Sequence, residues 1–356
     1  MAQDRPPLAT LLSWALVAFT IELDNAFEAR MPHSTTEGGG AGPWLVSWAM
    51  WANVLRYVPE SGTTVGELRR AARTDKLPLD GLRRWGYLTI DAGPGRRVSG
   101  APRPGWVLRP TRHAERAGQV WAPLPDEIEA RWSERFGLGA MARLRAALAA
   151  VSARIETPLP DFMPILGYAM TANSSADTPA APSAADPELP MLLARALIAF
   201  THSFEAISPI SLAVVANVLS RLDAAEGQRL RDLPVAAGVA PPAVAMAVGF
   251  LEKRGLAEIA TLARARTVRL TARGEAARAA AAKRLTAVNA AWIADPLGAE
   301  LAAALALIVG DGTPGGSPLF AGLQPDPRGW RAKSWPPATL PAYPMILHRG
   351  GYPDGA

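Results

Sequence analysis

The sequence predicts a mainly α-helical protein with small β-hairpins, built from one structural unit that occurs twice in the chain. Residues 11–20 read LLSWALVAFT, and residues 192–201 read LLARALIAFT. Further echoes follow in the same order: residues 51–55 with 215–219, 82–87 with 251–256, and 159–166 with 340–347. A long unit that is repeated only twice indicates two similar domains rather than a solenoid.

Composition limits the possible chemistry. The chain has 356 residues, of which 49% are apolar, which is typical of a globular protein with enough length for two domains. It contains no cysteine, so disulfides, thiolate nucleophiles and zinc–sulfur sites are excluded. The net charge of +5 permits contact with nucleic acid without requiring it. The N-terminus shows no signal-peptide pattern and the apolar runs 8–19 and 191–200 are short, so we expect a cytoplasmic protein without a membrane span.

The boundaries follow from shifts in composition. We expect a first domain over residues 1–170 and a Ser-, Ala- and Pro-rich linker over 171–187. A second domain should cover residues 188–317. Residues 318–356 form a Pro- and Trp-rich tail, which we expect to pack back on the repeats.

Each unit reads as helices, a hairpin and a long closing helix. The first helix, over residues 7–29, is apolar on two faces and should therefore be sandwiched against its counterpart at 191–205. A second helix is predicted over residues 43–58. Thr64 and Glu67 form a capping box for the next helix. Strands 88–91 and 106–109 form the first hairpin, and strands 256–259 and 267–270 form the second. Thr111 and Thr271 are the expected N-caps of the closing helices.

A family resemblance follows from the residues around the hairpins. Residues 250–256 read FLEKRGL and, after the second hairpin, residues 268–274 read VRLTARG. Residues 84–87 (RWGY) and 108–114 repeat this pattern more weakly. These segments resemble the MarR-type winged-helix family. Residues 18–22, 31–33 and 348–355 also resemble tandem-repeat actinobacterial winged-helix proteins.

The resemblance implies a specific architecture. Two winged helix-turn-helix (MarR-like) domains would be related by pseudo-two-fold symmetry, so that a monomer acts as a pseudo-dimer. MarR-type proteins are mostly dimeric transcription regulators that sense small molecules between the dimer helices and the winged-helix lobe. Double-stranded DNA and an unknown small molecule are the partners that it implies.

Arginines cluster on the two predicted wings and suit phosphate contact. The candidate DNA-binding residues of the wings and of the first recognition helix are Lys76, Arg83, Arg84, Arg96, Arg97, Arg103, Arg264, Arg266 and Arg269. The alternative is a set of solvated arginine-rich loops. The second recognition helix argues against base reading, because residues 239–248 contain no side-chain hydrogen-bond donor. Either the first repeat reads bases alone, or both repeats have lost contact with DNA.

The polar end of the first helix is a candidate small-molecule site, because carboxylates beside tryptophans suit a cationic or hydroxyl-rich ligand. Its predicted residues are Glu22, Asp24, Asn25, Glu28, His33, Trp48, Trp51 and, from the tail, His348 and Arg349. The alternative is a helix end that emerges into solvent beside core tryptophans. For the tail, the alternative to a lid is a structural clasp.

Catalysis has little support in the sequence. Glu22 and His33 could form an acid–base pair, and Asp24, Glu28 and His33 could hold a metal, but the spacing is irregular. No phosphate-binding loop or nucleophile elbow occurs. We therefore expect no metal and no cofactor. The sequence predicts a ligand-responsive DNA-binding transcriptional regulator. The alternative is a repurposed winged-helix scaffold that binds or transforms a small metabolite without binding DNA.

Overall fold

The computed structural model describes residues 6–31, 46–73, 77–95, 98, 102–157, 159–163, 187–262, 265–310, 316–325, 327–329 and 339–344. Over these residues the protein is mainly helical and carries two small antiparallel sheets. This confirms the mainly α fold with small β-hairpins.

The first half begins with a long apolar helix and ends with three helices in succession. Its elements are α1 (Leu8–Arg30), α2 (Trp48–Asn53), a 3₁₀ turn (Leu55–Tyr57), β1 (Thr63–Thr64), α3 (Val65–Ala72), α4 (Leu79–Arg84), β2 (Leu88–Asp91), β3 (Val107–Pro110), α5 (Arg112–Trp121), α6 (Leu124–Phe136) and α7 (Leu138–Ala153).

The second half has the same order of α-helices and strands, except in its closing helices. Its elements are α8 (Leu189–Glu205), α9 (Leu212–Leu219), β4 (Gln228–Arg229), α10 (Leu233–Ala237), α11 (Pro241–Lys253), β5 (Ala257–Leu262), β6 (Ala265–Leu270), α12 (Ala272–Ala294), α13 (Pro296–Val309) and a 3₁₀ helix (Pro318–Gly322). One helix, α12, stands in place of α5 and α6, and no 3₁₀ turn follows α9 among the described residues.

Both sheets share one topology, with the third strand of each half in the middle. The orders are β1-β3-β2 and β4-β6-β5, and every pairing is antiparallel. Gly86 and Gly255 take φ values of +80° and +65° where the chain leaves α4 and α11 for the hairpin. Both glycines therefore adopt the left-handed conformation that suits a sharp turn between helix and strand.

The predicted caps are present. The Thr64 hydroxyl accepts a hydrogen bond from the Glu67 amide at 3.2 Å, and the Glu67 carboxylate accepts one from the Thr64 amide at 2.8 Å. Thr111 and Thr271 cap α5 and α12 with their hydroxyl groups.

The helix bounds differ from the prediction at two places. The second helix, expected over residues 43–58, is regular only from Trp48 to Asn53, because Ser47 caps its start and Val54 leaves the helical region at φ −137°. The first closing helix is broken between α5 and α6, where Pro123 and Pro125 remove two amide donors.

The two halves share one continuous core. α1 packs against α8, as predicted, and it also packs against α13, while α7 packs against both α8 and α13. The buried apolar residues of both halves form a single cluster. The long helices of each half therefore pack against long helices of the other half: α1 against α8 and α13, and α7 against α8 and α13.

Helix α1 is long and apolar enough, by length and composition alone, to cross a membrane. Its 23 residues extend beyond the apolar run on which the sequence prediction rested. Within the protein, 89% of its most apolar window is buried, as in a core helix.

Candidate functional site

The hairpin of the first half presents arginines to solvent. Arg103 precedes β3 and is exposed, and Arg109 on β3 is exposed while donating a 2.8 Å hydrogen bond to the carbonyl of Ser61. Arg83 and Arg84 end α4 and are also exposed. The other predicted contacts of this half, Lys76, Arg96 and Arg97, lie outside the described residues.

The hairpin of the second half carries two exposed arginines on β6. Arg266 is exposed, and Arg269 forms a 3.2 Å ion pair with Glu258 on β5. This pair reduces the net positive charge of the hairpin face. Arg264 lies outside the described residues.

The second candidate recognition helix, α11, has a nearly uncharged outer surface at its start. Pro241 and Ala245 are exposed and Met246 is half-buried. Further along, the guanidinium of Arg254 lies 4.2 Å from the ring centroid of half-buried Phe250. The first two turns of α11 therefore present no side chain that can donate a hydrogen bond to a base edge.

Glu22 lies in a buried ion pair. Its side chain is 3% exposed, and both oxygens accept from the guanidinium of Arg135, at 2.6 and 3.2 Å. Trp132 donates a further hydrogen bond from Nε1 to the same carboxylate at 2.9 Å. The negative charge of Glu22 is thereby neutralised by Arg135, and its oxygens accept hydrogen bonds from Arg135 and Trp132. A buried carboxylate needs such partners.

The other polar residues at this end of α1 also contact protein groups. Asp24 is buried and its Oδ1 accepts from the Trp48 amide at 2.8 Å, at the first residue of α2. Asn25 donates from Nδ2 to the Gln324 carbonyl at 3.1 Å. Buried Glu28 lies so close to Gly329 that a Cβ there would be 2.6 Å from its carboxyl carbon.

The two predicted wall tryptophans differ in burial. Trp48 is fully buried and meets Trp121 edge to face at 5.5 Å, whereas Trp51 is half-buried beside Gly118. His33, His348 and Arg349 lie outside the described residues. Glu22, Asp24, Asn25, Glu28, Trp48 and Trp51 thus lie along α1 and α2 within packed protein, and their role in ligand binding stays a prediction.

A segment of the tail lies over Glu22. This segment, here called the plug (residues 317–323), contains the second 3₁₀ helix and packs on α1 and α13. Leu319 and Leu323, which belong to the plug, are buried. Gly322 is so close to the carboxylate of Glu22 that a Cβ would collide with it.

A cavity of about 750 Å³ opens elsewhere, among α7, α8, α12 and α13. Its volume is within the range of small-molecule sites. Eight of its lining residues are apolar: Val151, Ile155, Leu159, Ala199, Val288, Ala291, Trp292 and Leu297.

Polar groups surround this apolar floor. Arg154 and Asp295 form an exposed 2.9 Å ion pair at the rim. Trp292 donates from Nε1 to the Ser203 hydroxyl at 3.4 Å. His202, which precedes Ser203 on α8, also lines the cavity. The cavity thus combines a hydrophobic floor with a polar rim that carries the Arg154–Asp295 pair and the carboxylate of Glu156.

Sequence reasoning did not find this cavity. Its lining comes from four helices, from residues 154–157 and from Leu159, which are distant in sequence and belong to both halves. His202 was visible as a polar residue at the end of an apolar helix, but its neighbours were not. Only packing brings them together.

No family model, curated protein or solved structure matches the chain. Among the described residues, no group of three or more His, Asp or Glu side chains is placed to hold a metal ion.

Proposed function

We propose that the chain is a ligand-responsive DNA-binding regulator in which two MarR-like winged-helix units form a pseudo-dimer within one polypeptide. The observation that carries this proposal is that each half places exposed arginines on or beside the hairpin that follows its helix pair. These are Arg103 and Arg109 in the first half and Arg266 and Arg269 in the second. Arginines on such hairpins suit contact with the phosphate backbone.

The exchanged helix packing supports the pseudo-dimer. α1 of the first half contacts α13 of the second, and α8 of the second contacts α7 of the first. Reciprocal contacts of this kind are typical of a two-fold interface. In this arrangement a fixed core sets the distance between the two hairpins.

The units differ in what they offer to bases. The first unit has Arg83 and Arg84 exposed at the end of α4, while the start of α11 has no donor. We therefore propose that the first unit supplies any sequence reading and that the second contributes backbone contacts.

The test is fluorescence anisotropy with duplex DNA from the promoter region of the protein's own gene, against scrambled duplex, over a salt series. Specific binding with a steep salt dependence is expected. The double variant Arg103→Ala/Arg266→Ala should weaken binding to both duplexes and reduce the salt slope by about 2, at about one per phosphate contact. Arg131→Ala, an exposed arginine on α6, is the matched control and should leave binding unchanged.

A second candidate function is a winged-helix scaffold that binds a small metabolite without DNA. The apolar start of α11 and the Arg269–Glu258 ion pair favour it. This candidate would be favoured if the wild type bound both duplexes equally and weakly and if the double variant bound them in the same way.

A further inference from the structure

We propose that the cavity among α7, α8, α12 and α13 binds one neutral, mainly apolar small molecule that carries a hydroxyl group. The equivalent cleft of the first half is closed to such a molecule by the plug. This inference rests on the repeat and does not depend on DNA binding.

The two clefts occupy equivalent places in the repeat. Glu22 follows the segment 11–20 by two residues, and Ser203 follows the matching segment 192–201 by two residues. Each accepts a hydrogen bond from a tryptophan of the closing helix, Trp132 at 2.9 Å and Trp292 at 3.4 Å. The same pair of positions therefore lines both clefts.

The occupants of the two clefts differ. In the first half the plug covers Glu22, with Leu319 and Leu323 buried. In the second half a cavity of about 750 Å³ lies against Ser203 and Trp292. In the first half, the cleft thus holds the apolar side chains of the plug, which indicates that a cleft of this shape can hold an apolar molecule.

Chain length explains the difference. After α13 the chain runs through residues 310–339 before it reaches the repeated segment at 340, and the plug belongs to this stretch. After α7 only residues 154–158 precede the matching segment at 159. The stretch between α7 and residue 159 is therefore too short to form a counterpart of the plug.

The lining indicates the class of ligand. Val151, Ile155, Val288 and Leu297 suit an apolar body, and the half-buried ring of Trp292 suits a flat one. Ser203 replaces the ion-paired Glu22 of the first half with a neutral hydroxyl. This hydroxyl donates to the Ala199 carbonyl at 3.1 Å and accepts from Trp292, so one lone pair remains to accept a hydrogen bond from a ligand hydroxyl.

Charge at the rim argues against an anionic ligand, and the apolar lining argues against burying a cation. Arg154 is already paired with Asp295, and the exposed carboxylate of Glu156 also lines the cavity, so the described part of the rim has no unpaired arginine for an anionic ligand. Among the residues that the structure describes, none that lines the cavity belongs to α9, α10, α11 or the hairpins. The cavity is thus separate from the region between the dimer helices and the winged-helix lobe.

The experiment uses N-phenyl-1-naphthylamine, a neutral apolar probe whose fluorescence rises in a hydrophobic site, titrated into the full chain. Saturable binding of one equivalent is expected. Ala199→Trp places a large ring in the cavity and should weaken binding at least tenfold. Ala245→Trp, at an exposed position on α11, adds the same ring outside the cavity and should bind as the wild type.

A second variant keeps the test decisive if Ala199→Trp does not fold. Ser203→Glu introduces the first-half residue at an exposed position and should weaken probe binding at least threefold, with an unchanged urea midpoint. Absence of saturable binding, or equal affinity in the wild type and both cavity variants, would overturn the proposal. The DNA titration contains no probe, so either proposal can fail alone.

Discussion

The indole of Trp132 donates its Nε1 proton to the carboxylate of Glu22 at 2.9 Å, inside the protein. Arg135 completes the site with two further hydrogen bonds. Three polar groups from α1 and α6 thus satisfy one another beneath the plug. The polar end of α1, which in sequence suggests a ligand site, is in the fold a buried junction between helices.

Glu22→Gln should lower the free energy of unfolding by about 1–3 kcal/mol. The amide oxygen still accepts from Trp132, but Arg135 loses its counter-charge in a partly buried position. Removing one member of a fully buried pair costs about 3–5 kcal/mol, and the 20% exposure of the Arg135 side chain reduces that cost. Urea unfolding followed by circular dichroism measures it.

The matched control is Glu127→Gln. Glu127 pairs with Arg30, and both side chains are more than a third exposed. An exposed pair contributes about 0–1 kcal/mol, so this variant should remain close to the wild type. Equal losses in the two variants would contradict a special role for burial at Glu22.

Gly322→Ala should displace the plug. A Cβ at this position collides with a carboxylate that Arg135 and Trp132 hold in place, so the plug must move. We expect faster tryptic cleavage between residues 322 and 340, and a second equivalent of bound N-phenyl-1-naphthylamine. Gly105→Ala, where a Cβ meets nothing within 4 Å, should leave cleavage and stoichiometry unchanged.

Gly238→Ala should destabilise the protein, whereas Gly249→Ala should not. Gly238 ends α10 at φ +66°, and a Cβ there would lie 2.9 Å from the carbonyl oxygen of Thr339. The left-handed conformation alone costs a non-glycine residue about 1–2 kcal/mol. A Cβ on Gly249, inside α11, meets nothing within 4 Å, and helix propensity there favours alanine by about 0.5–1 kcal/mol. Thermal unfolding of both variants should shift in opposite directions.

Stability should fall at alkaline pH, in part through Tyr57. Burial, then the neighbouring negative charge of Asp161, raises the pKa of the Tyr57 hydroxyl, which hydrogen-bonds to that carboxylate. A raised pKa in the folded state means that the unfolded chain loses this proton first, at about pH 10. The contribution is therefore fully present below that pH and is lost as the pH rises towards the folded value.

Tyr57→Phe removes this contribution together with the hydrogen bond. The variant should be less stable at pH 8, and its urea midpoint should fall less steeply than that of the wild type between pH 9 and 11. An unchanged slope would show that Tyr57 does not contribute to the alkaline loss. Burial also raises the pKa of Tyr87, so part of the slope should remain.

Several parts of the fold could be predicted because their causes are local. The Thr64–Glu67 capping box needs residues three apart, and the turns at Gly86 and Gly255 need a residue that tolerates positive φ. The pairing of α1 with α8 followed from a helix apolar on two faces. The bounds of the second helix were predicted less well. Its apolar pattern indicated residues 43–58, but the helix begins after Ser47 and ends before Val54.

The candidate sites also include features that the local sequence predicts and features that depend on tertiary packing. Exposure of Arg103 and Arg266 on the hairpins followed from their position in the repeat. The partners of Glu22 could not be foreseen, because Arg135 and Trp132 lie more than a hundred residues away. Whether its carboxylate faces a ligand or an arginine depends on the packing of α6 against α1.

By itself the sequence determined that the protein repeats one helical unit with a hairpin, because periodicity, caps and turns act over a few neighbouring residues. Only the tertiary structure decided which of two equivalent clefts is filled. The plug reaches the cleft at Glu22, while the five residues after α7 are too few to fill the one at Ser203. A cavity is the space that distant segments leave between them, and that space is set by how they pack.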